Sequence, residues 1–393
     1  MATHVEMLGA RSIAADRTES IPWTVWCMAL ACTSAIIGAH WDISWHSSIG
    51  RDNFWTPAHI AIYLCGVLGG ISSGWLIFSN TFGVGNPERA NTVEIFGLRA
   101  PLGAFLVAWG GVAMLTSAPF DDWWHSAYGL DVKIISPPHV LLIFGFLSVQ
   151  VGGLILALGE MNRASVEKRQ KLERLFLYLG GLILITFTIL ILELTSRVLM
   201  HTAFFYRSVC LFVPLALAAM SRASGHKWSA TITAGVYTVF LLGFVWILPL
   251  FPAEPKLGPV YFPATYFVPP GFPMLFLVPA VVCDLFWQRF EKRSLWLQAL
   301  GGGVIFLAVF MAVQWPFANF LMSDGAKNWL FGANHFGYFE HPNSYLRRGL
   351  FVTRAGESTL MGFGLVLGQA ALISVLMSRI GLGFGNWMRT VQR

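Results

Sequence analysis

The sequence has little charge and no long polar stretch. Of its 393 residues only 12% are charged, whereas 55% are hydrophobic and the mean hydropathy is +0.62. Soluble domains carry roughly twice that share of charged residues. A chain of soluble domains is therefore excluded, and the longest polar stretch, at about residues 319–356, is too short and too aromatic to fold independently.

Several common functional motifs are also absent. The chain contains no GxGxxG, Walker A, HExxH or CxxCH motif, so it offers no support for a nucleotide site, a zincin protease or a c-type haem. Its five cysteines lack CxxC spacing and lie in or beside apolar runs, which argues against a disulfide framework or a thiolate metal site. They are Cys27, Cys32, Cys65, Cys210 and Cys283.

What the sequence does contain is a series of apolar runs along its whole length. Runs of roughly 17 to 25 residues match the thickness of a bilayer crossed by a helix. They predict an all-α polytopic integral membrane protein with about ten transmembrane helices. The predicted spans are 23–41, 57–79, 100–118, 138–160, 175–196, 208–221, 230–251, 272–288, 296–318 and 357–379.

The basic residues predict the orientation of these spans. If residues 1–22 form a cytoplasmic segment, 17 of the 26 Lys and Arg fall in cytoplasmic segments. This bias predicts that both termini are cytoplasmic. The expected location is a membrane of the bacterial inner-membrane type, with the metal sites on its extracytoplasmic side. Because the basic residues are scattered between apolar runs, the net charge of +6 does not indicate a nucleic-acid partner.

The first two predicted outer loops are copies of one pattern. Residues 40–59 contain D-x3-H-x12-H, and residues 120–139 contain D-x3-H-x13-H. A duplicated Asp and His pattern is less expected by chance than either copy alone. The aligned pairs are Asp42 with Asp121, His46 with His125, Asp52 with Asp131, and His59 with His139.

The spacing of this pattern is typical of a metal site. Residues four apart share one face of a helix, so each copy presents a carboxylate and an imidazole together. A second histidine follows a proline suited to the first turn of the next helix. Such a ligand set leaves coordination positions open and suits copper, iron or zinc. The candidate ligands are Asp42, His46 and His59, which are also the candidate catalytic residues, and Asp121, His125 and His139; Asp52 and Asp131 are predicted to orient the histidine rings.

One stretch resembles a known family. The sequence DISWHSSIGRDNFWTPAHIAIY is similar to the copper-binding segment of the C-type subunit of particulate methane and ammonia monooxygenases. The second copy resembles a neighbouring site of that subunit, with Asp121 where the family typically has Asn. Residues 23–160 therefore look like a C-type core of four helices that carries the duplicated metal-binding pattern.

The C-terminal region, residues 161–393, resembles the A-type subunit of the same family more loosely. It has about six predicted helices and the elements Trp315-Pro316, His335-Phe336 and Asn343-Ser344-Tyr345-Leu346-Arg347 at matching places. The chain thus looks like a C-like region joined to an A-like region.

The resemblance implies a function and partners. It implies a copper-dependent membrane monooxygenase in which one or two copper ions activate dioxygen to hydroxylate a small apolar substrate at the extracytoplasmic boundary. It also implies a quinol-like electron donor, a separate B-type subunit with cupredoxin domains, and an oligomeric complex among lipids.

Other functions remain open on the ligands alone. The chain is also compatible with a non-catalytic copper-binding or assembly subunit of a larger membrane complex. A zinc-dependent intramembrane hydrolase and a bis-histidine haem protein are further alternatives. Bound copper would favour the monooxygenase or the assembly subunit over the zinc enzyme. Turnover of dioxygen would then separate the monooxygenase from the assembly subunit.

Five further polar residues, outside the repeat, are considered for other roles. His201 is predicted to be a hydrogen-bonded histidine at the membrane boundary, and Glu193 and Asp284 are predicted to serve charge pairing or helix packing. His335 and His341 occupy an aromatic loop with several arginines, which predicts a lid or a docking surface for a partner.

Overall fold

The chain folds into a bundle of apolar helices. A computed structural model, 76% helical, describes residues 20–83, 87–129, 136–196, 199–256, 264–335 and 357–392. Within these ranges nine helical segments are long and apolar enough to cross a membrane. The α-helices are α1 Trp23–Ser48, α2 Pro57–Phe82, α3 Leu102–Tyr128, α4 Pro137–Arg163, α5 Val166–Leu190, α6 Ala203–Cys210, α7 Val213–Ala223, α8 Ser229–Ile247, α9 Leu277–Phe290, α10 Leu295–Leu321 and α11 Leu360–Met388, and a small antiparallel hairpin pairs β1 Val93–Ile95 with β2 Leu98–Ala100.

The helix content and the number of long apolar helices confirm the prediction of an all-α polytopic membrane protein. The helices expose large apolar side chains over their outer faces, as lipid-facing helices do. The effect is strongest on α11, where Leu360 is 90% exposed and Leu365 is 64% exposed. One large hydrophobic core nevertheless includes residues from both 23–160 and 161–393.

At one predicted span the described helix is shorter than expected. The predicted span 272–288 is a helix of only 14 residues, α9, and residues 264–275 before it are not helical. The sequence FVPPGFP at 267–273 explains the difference, because proline lacks the amide hydrogen that a helix needs and restricts the residue before it.

The non-helical segment 264–276 is held by side chains of the neighbouring helices. Ser44 Oγ donates to the Val268 carbonyl at 2.7 Å, and the Val268 amide donates to Ser48 Oγ at 2.8 Å. The Leu275 amide donates to Gln314 Oε1 at 3.0 Å. Irregular backbone at membrane depth requires partners of this kind, since no lipid group can replace them.

Segment 264–276 and α9 together cross the bundle from one end to the other. Asp284 in α9 accepts hydrogen bonds from the amides of Ala230 and Thr231, at the start of α8. Tyr266 bridges to Pro252, just beyond the end of α8. The chain from 266 to 284 therefore runs antiparallel to α8.

The helix ends also fix which end of the bundle carries each loop. Asn162, at the end of α4, donates to the carbonyls of Met388 and Val391 at 3.0 and 2.7 Å. The end of α11 therefore lies beside the end of α4. The turns between α1 and α2 and between α3 and α4 lie at the opposite end.

Two other predicted spans have different bounds. The predicted span 208–221 is two helices, α6 and α7, with a break at 211–212 just before α7, which has Pro214 in its first turn. The predicted span 175–196 begins earlier, because the charged stretch from Val166 forms the first two turns of α5. Residues 1–19 and 336–356, which include His341 and the 343–347 element, lie outside the described residues.

Glycines allow α3 and α4 to pack with their backbones in close contact. A methyl group at Gly110 would lie 2.6 Å from the Gly145 carbonyl oxygen, and one at Gly103 would lie 2.4 Å from that of Gly152. Small residues at such positions are how helices in membranes approach closely. Gly38 plays the same part between α1 and α2, where a methyl group would lie 2.7 Å from Ile62.

Replacement of Gly110 tests this packing. We expect Gly110→Ala to lower the free energy of unfolding by roughly 1–3 kcal/mol, because the added methyl group meets backbone that cannot rotate away. Unfolding by SDS, followed by circular dichroism, measures the change. The matched control is Gly70→Ala in α2, where a methyl group meets nothing within 4 Å; equal stabilities of the two variants would contradict the proposed contact.

Candidate metal centre

The first copy of the repeat is built on the end of α1 and the start of α2. Helix α1 continues to Ser48, beyond the predicted end at 41, so Asp42 and His46 lie one above the other on its last turns. Helix α2 begins at Pro57, and His59 lies in its first turn, as the spacing predicts.

These residues converge with Asp52 into one group, which we call the first cluster: Asp42, His46, Asp52 and His59. His59 Nε2 lies 2.6 Å from Asp52 Oδ2 and 3.3 Å from Asp42 Oδ1. His46 Nε2 lies 3.6 Å from Asp52 Oδ2 and 3.7 Å from Asp42 Oδ2. Both imidazoles therefore point the same nitrogen, Nε2, at the same pair of carboxylates.

Asp52 lies within the cluster itself. One ligand atom from each of Asp42, His46 and Asp52 lies within 4.8 Å of the others, a spacing that suits a single metal ion. The side chain of Asp52 is only 10% exposed. Burial raises the pKa of Asp52, but the hydrogen bond from His59 and the charges of both imidazoles lower the pKa more, so it stays below its usual value.

The loop between α1 and α2 is ordered by its own polar groups. The Asn53 amide donates to Thr56 Oγ1 and the Trp55 amide donates to Asn53 Oδ1, each at 2.9 Å. Gly50 takes a φ of 105°, which other residues rarely adopt. The turn therefore returns the chain so that Asp52 faces the end of α1.

The second copy forms the second cluster: Asp121, His125 and His139. Asp121 and His125 lie on the last turns of α3, and His139 lies in the first turn of α4. Asp121 lies 3.4 Å from His125 Nε2 and 3.5 Å from His139 Nε2, one carboxylate oxygen to each ring. His125 Nδ1 donates to the Gly129 carbonyl at 3.3 Å, which leaves Nε2 for the cluster.

Residues of both clusters, all except His46, line one cavity of about 90 Å³ between the two helix pairs. The two helix pairs meet where α2 packs on α3, with Gly69 against Val107, and both copies of the repeat therefore lie at the same end of the bundle. Asp122, Arg51 and Tyr63 also line this cavity. Four carboxylates and one guanidinium therefore surround a small space, which favours cations.

The chemistry of both clusters fits a metal ion. Oδ1 of Asp42 and Oδ1 of Asp121 are buried and accept no hydrogen bond of good geometry, although each faces an imidazole nitrogen. A buried carboxylate oxygen without a donor is unfavourable, and a cation shared with the imidazoles would remove this cost. The donor set of carboxylate and imidazole suits copper, iron or zinc equally.

Three residues considered outside the repeat do not line this cavity. His201 is buried, and its ring lies edge to face on the ring of Trp315 at 5.0 Å. Burial lowers the pKa of His201 more than its hydrogen bond with Asn319 raises it. This is the structural role that the sequence predicts. His335 packs edge to face on Tyr266 at 4.7 Å, and Glu193 lies in a short 3₁₀ turn. Asp131 lies outside the described residues.

Arg51 and Tyr63 line the cavity although neither belongs to the duplicated pattern. Tyr63 follows His59 by four residues on α2, so helical spacing alone places it on the face of the clusters. Its hydroxyl donates to the Phe54 carbonyl at 3.1 Å. Arg51 precedes Asp52 in the same turn, but only the folded loop brings it to the cavity.

Comparisons with known proteins add no relative. No family profile, no curated protein and no solved structure matches the chain.

Replacement of Asp52 tests whether it binds metal. We expect Asp52→Asn to weaken metal binding at the first cluster by about tenfold or more, because an amide oxygen is a poorer ligand than a carboxylate and no longer holds His59 in place. Titration of the purified protein with Cu(II), Zn(II) and Fe(II) measures the affinity. The matched control is Asp122→Asn, which removes a charge from the same cavity outside both clusters; an equal effect in the two variants would show that only the net charge matters.

Proposed function

We propose that this chain is the catalytic membrane component of a metal-dependent oxygenase of the copper membrane monooxygenase type. The observation that carries the proposal is the convergence of two carboxylate and imidazole clusters, one from each copy of the repeat, on one cavity. Ionisable groups in an apolar bundle are costly and are retained where they serve a function.

The residues of the two clusters have distinct parts in this proposal. Asp42, His46 and His59, with Asp52, would hold one ion, and Asp121, His125 and His139 would hold a second. Copper bound there would supply the activation of dioxygen. The helix ends would hold each Nε2 aimed at the ion, and Tyr63 would close the side of the cavity.

An apolar cavity next to the metal cavity supports a small apolar substrate. It has a volume of about 70 Å³ and shares Ile62 and Leu142 with the metal cavity. Ala39, Phe146 and Ile189 complete much of its wall. A molecule of a few carbon atoms that dissolves in the lipid would fit this space beside the clusters.

We also infer that the clusters face the extracytoplasmic side. They lie at the end of the bundle opposite to Asn162 and the end of α11. The distribution of basic residues favours a cytoplasmic location for that other end. The chain would then reside in a bacterial-type inner membrane with both termini in the cytoplasm.

The partners follow from the resemblance. A quinol-like donor would supply electrons, and a separate B-type subunit with cupredoxin domains would complete an oligomeric complex. Helix α11 exposes a long apolar face, on which Leu372 is 60% and Ile380 is 52% exposed. This face would contact lipid or such a subunit.

Paired histidine variants test the metal sites. We expect His46→Ala with His59→Ala, and separately His125→Ala with His139→Ala, each to remove one metal ion per chain, because each pair supplies the neutral donors of one cluster. Elemental analysis and EPR of the purified full chain give the stoichiometry and identify copper. The control is His226→Ala, at the opposite end of the bundle; unchanged metal content in both double variants would refute the sites.

Turnover of dioxygen then separates catalysis from metal storage. With reductant and a small hydrocarbon, the copper-loaded chain should form the corresponding alcohol, and the His46 and His59 double variant should not. If copper is bound but no alcohol forms, even after addition of a cupredoxin subunit, the chain is a copper-binding assembly protein and not an oxygenase. Bound zinc, with an EPR-silent site, would instead favour the hydrolase.

A further inference from the structure

Three arginines meet at the last turns of α11, at the end of the bundle opposite to the metal clusters. Arg379 lies in α11 and Arg389 directly follows it, whereas Arg222 lies in the last turn of α7. Arg222 Nε donates to Asn386 Oδ1 on α11, and a methyl group at Gly385 would lie 2.6 Å from Arg222 Cβ. We call Arg222, Arg379 and Arg389 the arginine site.

Arg379 is held in place by an aromatic ring. Its Cζ lies 5.3 Å from the ring centroid of Trp296 in the first turn of α10, a cation–π contact. The side chain extends towards the end of α11, because a methyl group at Gly383 would lie 3.2 Å from Arg379 Nη1. Arg379 Nε is buried and donates to no acceptor among the described residues. A buried charged donor without an acceptor is costly.

The arginine site carries more positive than negative charge. In the described part of the chain, none of its three guanidinium groups forms an ion pair with a carboxylate. Burial and the charges of Arg222 and Arg169 lower the pKa of Arg389, and the carboxylate of Glu291 offsets this only in part. An anion at this place would therefore be stabilised.

Helix ends compensate only two of the three charges. Arg222 and Arg389 lie at the carboxyl ends of α7 and α11, where the helix dipole favours cations. Arg379 lies more than two turns before the end of α11, beyond the reach of this effect. The nearby first turn of α10 presents free amides, which add positive charge. Arg379 therefore lacks a structural counter-charge.

The surroundings of the arginine site are those of a membrane boundary. Trp296 and Trp387 are both exposed, as aromatic residues at the lipid interface are. Next to Arg379 and farther from the end of α11, Leu300, Leu376 and Ile380 form an exposed apolar face. This face suits hydrocarbon chains, and guanidinium groups bind the oxygens of a phosphate in pairs. A phospholipid matches both features, whereas a soluble anion would use only one.

We propose that the arginine site binds the phosphate of an anionic phospholipid, whose hydrocarbon chains lie on the exposed face of α10 and α11. The headgroup carries no ammonium group, because a second cation beside three arginines would be repelled. The inference is independent of the proposed oxygenase activity. It requires no metal at either cluster and no assignment of which side of the membrane this end faces.

Native mass spectrometry of the purified full chain in detergent tests the proposal. The probes are equal amounts of phosphatidylglycerol and phosphatidylcholine with the same acyl chains, so that only the headgroup differs. We expect one phosphatidylglycerol per chain to be retained, with an affinity about tenfold or more above that for phosphatidylcholine. An equimolar amount of glycerol 3-phosphate should not displace the lipid, because the acyl chains contribute to its affinity.

Variants locate the site. Arg379→Gln should weaken phosphatidylglycerol binding by about tenfold, as the loss of a charge-assisted hydrogen bond predicts. Trp296→Ala should weaken it by about threefold, because the ring positions the guanidinium group. The matched control is Arg99→Gln, which removes an arginine paired with Glu94 at the same end of the bundle and should leave binding unchanged. The metal-site double variants should bind the lipid normally, so that failure here and failure of the metal sites are distinguishable.

Four results would overturn the proposal. Equal retention of the two lipids, or an unchanged affinity in Arg379→Gln, would show that the arginines do not select the headgroup. An equal loss in Arg99→Gln would show that only net charge matters, and displacement by equimolar glycerol 3-phosphate would show a site for free phosphate. Thermal unfolding shows whether each variant is folded. If Arg379→Gln does not fold, the comparison of the two lipids and the Arg389→Gln variant still decide the question.

Discussion

Every carboxylate inside this apolar bundle needs a compensating group, and two different solutions occur. Asp284 and Glu357 accept hydrogen bonds from backbone amides at the first turns of α8 and α6, so their charges are matched by helix ends. Asp42 and Asp121 face imidazole nitrogens and retain a buried oxygen without a donor. The carboxylates of the first pair accept hydrogen bonds from amides, whereas those of the second pair face only imidazole nitrogens at 3.3–3.5 Å. This difference separates the structural acids from the candidate metal ligands.

The duplicated pattern becomes one site because the helices that carry it pack closely. Glycines in α3 and α4, and Gly38 against Ile62, remove the side chains that would hold the helix axes apart. Each copy then contributes the end of one helix and the start of the next to the same end of the bundle. A shared cavity with four carboxylates results, and the cost of gathering these charges is the reason to expect bound cations.

Much of this architecture follows from local pattern. Apolar runs of bilayer length place most helices, and the D-x3-H spacing followed by a proline places each cluster on a helix end and the next first turn. The interruption at 264–276 is less visible, since its residues are as apolar as those of a span; only its prolines indicate it. Its backbone is tolerated because Ser44, Ser48 and Gln314 supply partners that are far away in the sequence.

The sequence by itself determined membrane residence, the helical class and the two Asp and His sets, because hydropathy and helical spacing are local properties. Only the tertiary structure decided that Asp52 lies within the first cluster, that both clusters share a cavity, and that arginines of α7 and α11 meet at the last turns of α11. These facts depend on which helix faces meet. That outcome is set by close packing and by the pairing of buried polar groups between distant segments, and neither is encoded in the spacing of neighbouring residues.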